Sequence, residues 1–156
     1  DRGDHQASAK FGGGRIADVR RLPGSRAHPH FNPDALAAAL APRDIAYTPM
    51  PGLGGRRTPR PDSTHDAWRN DAFRGYADYM DTPEFVAAAE ELASLARTDR
   101  TAVMCAEAVW WRCHRSMIAD YFKANGWTVL HILTAGEAKE HPYTSVAKVA
   151  DGLLTY

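Results

Sequence analysis

The sequence predicts an α/β fold of three layers, in which helices flank a mainly parallel sheet in a Rossmann-like or rhodanese-like arrangement. Short apolar runs typical of strands alternate along the 156 residues with runs that repeat apolar residues at helical spacing. Such alternation implies parallel strands joined by right-handed crossovers. The run Thr101–Cys105 is apolar, as expected of a strand buried on both faces of a parallel sheet. The chain length fits a single domain with one core.

In the first part of the chain, turn-forming residues separate two short strands and one helix. Residues 1–14 are polar and end in three glycines, which predicts a flexible lead-in to a single α/β domain over residues 15–156. An asparagine followed by a proline supplies an N-cap and a first helical residue. A basic loop rich in proline and glycine follows the second strand. The predicted elements are a strand at 15–19, a helix at 34–41 and a strand at 44–48.

The second part of the chain is predicted to alternate helices with strands. Aromatic residues at helical spacing indicate one helix, and a Thr-Pro-Glu sequence begins the next. An Asn-Gly pair ends a later helix. The predicted elements are helices at 66–80, 84–97, 116–124 and 142–153, and strands at 101–105 and 127–133.

Composition and charge exclude several broad classes of protein. The hydrophobic share of 44% is that of an ordinary globular chain, and the formal net charge of zero gives the whole chain no bias towards nucleic acid or membranes. No apolar run approaches the roughly 20 residues that a membrane helix needs, and no signal peptide opens the sequence. We therefore expect a soluble, cytoplasmic protein with no membrane partner. A reducing cytosol would hold both cysteines as thiols, with a disulfide as the alternative.

Two chemically rich segments follow predicted strands and point to one site. Asp18 lies near the end of the first strand, Cys105 ends the strand 101–105, and Glu107 comes just beyond it. In parallel α/β sheets, ligands bind beyond the carboxyl ends of the strands. We therefore expect these side chains to face a common cleft.

The thiols and carboxylates of these segments are the candidate catalytic groups. Cys113 opens a predicted helix, where the helix dipole, backbone N–H donors and cationic neighbours favour the thiolate that a nucleophile requires. Cys105 is a second candidate nucleophile, and its alternative role is that of a small buried side chain. Glu107 and Asp18 are the candidate acid–base pair. The alternative for Asp18 is an ion pair with an arginine that orders the loop.

Arginine and tryptophan residues near these groups are candidates for binding an anionic substrate. The guanidinium groups of Arg20, Arg26 and Arg115 would bind a phosphate or carboxylate through paired hydrogen bonds, and otherwise form a solvated basic face. Trp110 and Trp111 lie in the central loop and would wall a pocket or stack on a ring.

A metal site is an alternative account of the same thiols. Cys105, Cys113 and His114 would supply thiolate and imidazole, with His131 or His141 as the fourth ligand. Their spacing matches no standard zinc pattern, because the sequence contains no Cys-x-x-Cys pair. The sequence leaves the cofactor unassigned and the oligomeric state open.

Five stretches that run in order along residues 15–156 form a set. They are Asp18-Val-Arg-Arg-Leu-Pro-Gly-Ser25-Arg26, Tyr47-Thr-Pro-Met-Pro-Gly-Leu-Gly-Gly55, Phe73-Arg-Gly-Tyr-Ala-Asp-Tyr-Met80, Cys105-Ala-Glu107 with Cys113-His114-Arg115, and His141-Pro-Tyr-Thr144. Together they resemble a bacterial family known as domain of unknown function 488. That family usually opens with a strand ending in a T-I-G-H-S-like motif, which residues 1–14 do not contain. The resemblance adds these substrate-binding candidates: Ser25, Tyr47, His114, His141 and Tyr143.

The cysteine region is also similar to rhodanese-like sulfurtransferases and cysteine phosphatases. Ile16-Ala-Asp18-Val-Arg20 looks like their Asp-Val-Arg strand, and the stretch from Val103 through Ser116 looks like their cysteine loop and Arg-Ser helix. This likeness implies the architecture and an anion pocket. The loop is longer than a phosphatase cradle, which weakens the case for phosphoryl or sulfur transfer.

The favoured interpretation is an enzyme that acts on a small anionic or nucleotide-like substrate in a Cys/Glu/Arg cleft. Such an enzyme would be a thiolate- or carboxylate-based transferase or hydrolase. One alternative is a nucleic-acid-binding or nucleic-acid-modifying domain that uses the basic loops and the two tryptophans for stacking. The other is a metal- or redox-responsive module that uses both cysteines.

Overall fold

The computed structural model describes residues 14–21, 29–105, 110–134 and 137–156. Over these residues the protein is mixed α/β, with four α-helices, one parallel sheet of three strands and two antiparallel strand pairs. None of the helices in these ranges is long and apolar enough to cross a membrane. In chain order the elements are β1 (Gly14–Asp18), α1 (Pro33–Leu40), β2 (Ile45–Pro49), α2 (Asp71–Met80), α3 (Pro83–Thr98), β3 (Arg100–Met104), α4 (Arg115–Ala124), β4 (Leu130–Thr134), β5 (Glu137–Glu140), β6 (Lys148–Ala150) and β7 (Leu153–Thr155).

The chain divides into two compact units. The first comprises residues 1–55 and 82–106, and the second comprises residues 56–81 and 107–156. The single domain expected from the sequence stays a prediction. Of the expected lead-in, residues 1–13 lie outside the described residues, and Gly14 begins β1.

The parallel sheet belongs to the first unit and has the strand order β2-β1-β3. Asp18 at the end of β1 is opposite Pro49 of β2 on one side and Met104 of β3 on the other. The carboxyl ends of β1 and β3 therefore lie side by side, which confirms the prediction for these strands. The buried apolar side chains of this unit include Ala17, Val19, Met50, Leu53, Phe85, Ala89 and Leu92.

Local capping signals begin both helices of the first unit. Pro33 is the first residue of α1 and follows Asn32, and proline suits this position because its missing N–H has no helical partner there. The Thr82 side chain accepts a hydrogen bond from the Phe85 backbone N–H at the start of α3. These signals explain why both helices were predictable to within one residue at their first turns.

In the second unit, polar caps and one glycine shape the segment around α2. The Asn70 side chain accepts hydrogen bonds from the backbone N–H groups of Ala72 and Phe73, which fixes the start of α2. A Cβ at Gly75 would lie 1.9 Å from the carbonyl oxygen of Arg57, so the backbone approach leaves room for glycine alone. The buried apolar side chains of this unit include Tyr76, Ala77, Met117, Ile118, Ala119 and Phe122.

The C-terminal region differs from the sequence prediction. The helix predicted over 142–153 is wrong, because these residues contribute to the antiparallel pair β6–β7. Asp151 and Gly152 between the two strands have φ angles of 51° and 77°. A two-residue type I′ turn requires positive φ at both positions, and Asp-Gly favours it. The turn chemistry therefore outweighs the helical spacing of the apolar residues.

Two further expectations change in the structure. The strand predicted at 127–133 is present as β4, but it pairs antiparallel with β5 instead of joining the parallel sheet. The helix predicted at 66–80 begins only at Asp71, directly after its Asn70 cap. The mixed α/β class and the parallel pairing of three strands are confirmed, whereas the three-layer arrangement stays a prediction.

Candidate functional site

In the first unit, the Asp18 carboxylate is the centre of a buried polar cluster. The Arg20 guanidinium donates two parallel hydrogen bonds, from Nε to Oδ1 at 2.9 Å and from Nη2 to Oδ2 at 2.6 Å. The Tyr47 hydroxyl donates to Oδ2. Arg20 Nη2 also donates to the Phe31 carbonyl at 2.7 Å. The cluster thus ties the ends of β1 and β2 to the segment before α1.

The electrostatics of this cluster assign fixed charges to its members. Burial alone would raise the pKa of Asp18, but hydrogen bonds from Arg20 and Tyr47 more than offset it and hold that pKa below its ordinary value. Burial and the Asp18 charge raise the pKa of Tyr47 to about 12. Asp18 is therefore an ionised acceptor at neutral pH and Tyr47 a neutral donor. This geometry suits the ordering of a loop, the alternative role for Asp18, better than acid–base work.

Cys105 follows β3 beside the Asp18 cluster. The Val19 backbone N–H donates to the Met104 carbonyl at 2.9 Å, which holds the residues after β1 and β3 next to each other. Because Cys105 ends a predicted buried strand, the sequence predicts that it is shielded; its side chain is instead partly exposed, whereas that of Cys113 is buried. The strand order explains this difference, since β3 lies at an edge of the described sheet rather than at its centre.

In the second unit, Cys113 lies directly before α4 and its thiol contacts two polar partners. The Arg115 backbone N–H donates to Cys113 Sγ at 3.3 Å, and Cys113 Sγ lies 3.4 Å from His114 Nδ1. The first N–H groups of a helix have no partner inside it, so Sγ takes up a donor that the helix leaves open. The Ser116 hydroxyl donates to the Cys113 carbonyl at 2.9 Å and fixes the turn. The result is a thiol held at a helix N-terminus beside an imidazole.

An aromatic ring packs against the His114 imidazole, and a cationic side chain follows it in sequence. The rings of His114 and Tyr76 have centroids 4.9 Å apart, and Tyr76 is fully buried. Burial and nearby Tyr79 raise the pKa of Tyr76 well above its ordinary value, and nearby Arg57 offsets part of this rise. The Nε atom of Arg115 is buried and makes no hydrogen bond within the described structure. Arg115 therefore binds Cys113 through its backbone N–H and also carries a guanidinium with an open Nε donor.

Farther along α4, Asp120 begins a buried chain of hydrogen bonds. Asp120 Oδ1 lies 2.7 Å from His141 Nε2, and His141 Nδ1 lies 2.7 Å from His131 Nε2. Asp120 and His141 have no exposed surface, and His131 is 8% exposed. Burial, His141 and Arg115 lower the pKa of His131 to about 4, so this imidazole is neutral at pH 7.

A third polar group of the second unit consists of His65, Asp78 and Asp81. Their potential ligand atoms lie within 4.8 Å of one another, so of the residues that the structure describes these have the spacing of a metal site. His65 Nε2 already bonds Asp81 Oδ2 at 2.7 Å, however, and Asp78 accepts from the Ser63 hydroxyl. The metal set expected from the sequence is divided between the units: Cys105 belongs to the first, and Cys113 and His114 belong to the second.

The remaining predicted residues are placed as follows. Trp111 is 54% exposed, and the Tyr143 ring lies 5.1 Å from the Lys123 ammonium group. The Trp110 backbone lies in a short 3-10 helix, and its side chain is outside the described part of the chain. The other predicted site residues that lie outside it are Ser25, Arg26 and Glu107.

Sequence reasoning named His131 and His141 as candidates but missed Asp120, which joins them to Thr144 and Tyr156. Asp120 lies on the buried face of α4 between Ala119 and Phe122, and a charged residue among core positions is the signal that could have found it. Its other donors, Thr144 and Tyr156, are too distant in sequence to be linked to it by any local pattern.

These observations define a mixed α/β protein with a thiol at a helix N-terminus and a buried His-His-Asp chain in the same unit. Residues 5–122 match the model of the family described as Domain of unknown function DUF488, and the chain belongs to this family. No curated protein and no solved structure matches the chain.

Proposed function

We propose that this protein is an enzyme that acts on a small anionic substrate and uses the Cys113 thiolate as its nucleophile. The observation that carries the proposal is the position of Cys113 Sγ, which lies 3.3 Å from the Arg115 backbone nitrogen and 3.4 Å from His114 Nδ1. A nucleophile and a base within hydrogen-bond reach, with a donor that stabilises the anion, form the arrangement typical of thiolate catalysis.

The chemistry begins with transfer of the Cys113 proton to His114 Nδ1. The thiolate is stabilised by the Arg115 N–H and by the positive end of α4. It attacks the electrophilic atom of the substrate, and the imidazolium of His114 returns its proton to the leaving group. The resulting bond between Sγ and the substrate fragment is then broken by water or by a second acceptor. The reaction class is accordingly a group transfer or a hydrolysis through a covalent intermediate.

The side chain of Arg115 accounts for the preference for an anion. Its Nε donor is buried and makes no hydrogen bond within the described structure, and a guanidinium binds carboxylate or phosphate oxygens through paired N–H groups. The Cys113 side chain is 5% exposed, so the substrate group that reaches Sγ must be small.

We further propose that the β2-β1-β3 sheet is part of a three-layer, rhodanese-like arrangement. Support comes from the parallel pairing of its strands and from the adjacent carboxyl ends of β1 and β3. In open parallel α/β sheets, ligands bind beyond the carboxyl ends of the strands.

The proposal is tested by the pH dependence of thiol alkylation. The Cys105→Ser protein, in which Cys113 is the remaining cysteine, is treated with iodoacetamide over a pH series and the product is quantified by mass spectrometry. We expect the rate to rise with a midpoint clearly below about 8.5, the ordinary pKa of cysteine. His114→Asn should move the midpoint upwards.

The matched control is Cys113→Ser, which leaves Cys105 as the reporting thiol. Cys105 follows the sheet edge rather than opening a helix, so its midpoint should stay near the ordinary cysteine value. A Cys113 midpoint equal to or above that of Cys105 would contradict the thiolate assignment.

A further inference from the structure

Two tyrosines of α2 pack against each other beside the proposed thiolate site. Tyr76 and Tyr79 lie three residues apart on the helix, a spacing that places both side chains on one face. Their ring centroids are 5.9 Å apart, and the ring planes are inclined by 53°. Tyr76 has no exposed surface, whereas Tyr79 is partly exposed. Tyr76 is therefore the inner ring of the pair and Tyr79 the outer one.

Arg57 holds this part of α2 through its side chain and its backbone. The guanidinium carbon of Arg57 lies 3.7 Å from the centroid of the Tyr79 ring, which is a cation–π contact. The Arg57 carbonyl oxygen would lie 1.9 Å from a Cβ at Gly75, the residue before Tyr76. The backbone at residue 57 and the backbone of α2 are thus in direct contact. The two tyrosine rings are carried by a helix that is fixed at this point.

The inner ring contacts the imidazole that faces the proposed nucleophile. The ring centroids of Tyr76 and His114 are 4.9 Å apart, and His114 Nδ1 lies 3.4 Å from Cys113 Sγ. A continuous series of contacts therefore runs from Tyr79 through Tyr76 and His114 to the thiol, and all four residues belong to the second unit. Because protein interiors are close-packed, a fully buried ring against the imidazole limits the rotation of the His114 side chain.

The same ring favours the charged form of the imidazole. Burial and nearby Tyr79 raise the pKa of Tyr76 well above its ordinary value, so its phenol keeps its proton at neutral pH. An aromatic ring attracts a cation within about 6 Å of its centroid, and the His114 ring lies inside that distance. Two cations, Arg57 beside Tyr79 and Arg115 next in sequence, oppose protonation of that imidazole. The Tyr76 ring and a thiolate at Cys113 favour it.

We infer that Tyr76 is a positioning residue of the reaction: it holds the His114 imidazole within reach of Cys113 Sγ and stabilises the imidazolium that forms there. The inference rests on the proposed function of Cys113. In that reaction the proton moves from Cys113 Sγ to His114 Nδ1, and Tyr76 neither gives nor takes a proton. Its contribution is largest when the thiolate and the imidazolium are both present, so Tyr76 makes Cys113 a stronger acid through His114.

The test measures the pH midpoint of Cys113 alkylation by iodoacetamide, with the full-length Cys105→Ser protein as reference. Tyr76→Leu removes the ring and should raise the midpoint, so that alkylation at pH 7 slows about threefold to tenfold, the size of one aromatic pair interaction. Tyr76→Phe keeps the ring and should leave the midpoint unchanged. Phe122→Leu is the matched control, because Phe122 is also a buried aromatic residue of the second unit and packs against Trp127.

A double-mutant cycle separates action through His114 from a general loosening of the structure. His114→Asn removes the base and by itself raises the midpoint. If Tyr76 acts through His114, adding Tyr76→Leu to His114→Asn should raise the midpoint no further. Circular dichroism reports whether each variant folds. If Tyr76→Leu does not fold, Tyr79→Leu takes its place in the cycle, and the loss of the outer ring should slow alkylation about twofold.

The possible results distinguish the inference from the proposed function. A midpoint that the leucine variant raises only when His114 is present supports the inference. The inference is overturned, and the proposed function stands, if His114→Asn raises the midpoint and the leucine variant does not, or if the leucine variant raises it equally in both backgrounds. An equal rise in Tyr76→Phe or Phe122→Leu also overturns the inference. A reference midpoint that is not below the ordinary cysteine value, or that His114→Asn leaves unchanged, overturns the proposed function and the inference with it.

Discussion

Removal of the Tyr156 hydroxyl tests the energetic importance of the Asp120 network. Tyr156→Phe keeps the ring, which packs edge-on against Trp68 with ring centroids 5.4 Å apart, and it deletes the hydrogen bond to Asp120 Oδ2 at 2.8 Å. A hydrogen bond to a charged group contributes about 1.5 to 3 kcal/mol. Because Oδ2 keeps the Thr144 hydroxyl as a donor, the loss should lie within that range rather than reach the cost of an unpaired buried charge.

The assay is urea denaturation followed by far-UV circular dichroism, with thermal unfolding as a second measurement. A loss of about 2 kcal/mol corresponds to a decrease in Tm of roughly 4 to 8 °C for a chain of this size. Tyr143→Phe is the matched control, since it also exchanges a tyrosine for phenylalanine and keeps the ring beside Lys123. It should change stability by less than about 0.5 kcal/mol. Equal stabilities of the two variants would refute the claim that Asp120 is an ionised, fully hydrogen-bonded carboxylate.

Two further predictions concern the whole fold. Burial, His141 and Arg115 lower the pKa of His131 to about 4, so between pH 6.5 and 4 the unfolded chain binds the proton that the folded chain excludes. Stability should therefore rise with pH across this window by up to about 3 kcal/mol, and His131→Gln should flatten the curve in urea titrations at several pH values. Gly75→Ala should destabilise the protein by more than about 2 kcal/mol despite alanine's higher helix propensity, because its Cβ would lie 1.9 Å from the Arg57 carbonyl oxygen. An unchanged Tm for this variant would show that the backbone does not approach so closely.

The elements that the sequence predicted correctly are those with signals in neighbouring residues. Pro33 and Thr82 mark helix starts by backbone and capping chemistry that acts within one turn. The β6–β7 pair was not predicted, although the Asp151-Gly152 turn that joins its strands is also a local signal. The exposure of Cys105 depends on strand order, which the residues of β3 do not encode by themselves.

The candidate site was predicted in part for the same reason. The position of Cys113 before a helix follows from its immediate neighbours, so the thiol at the helix N-terminus could be expected. The Asp120 network joins five residues spread over 36 positions, from α4 to the last residue of the chain. Only the folded chain brings these five side chains together, where they satisfy one another's hydrogen bonds.

The central claim is that a thiolate at Cys113 and the cation of Arg115 form one anion-binding reactive site. The most direct measurement is the ratio of alkylation rates of Cys113 by iodoacetate and by iodoacetamide in the Cys105→Ser protein. Both reagents require the thiolate, so the ratio cancels its pKa and reports the preference for a negative charge. Arg115→Gln should lower the ratio about tenfold, because a partly buried cation nearby contributes roughly 1 to 2 kcal/mol. Arg69→Gln, at an exposed arginine of the same unit, should leave it unchanged. A ratio that is equal in all three proteins would contradict the account.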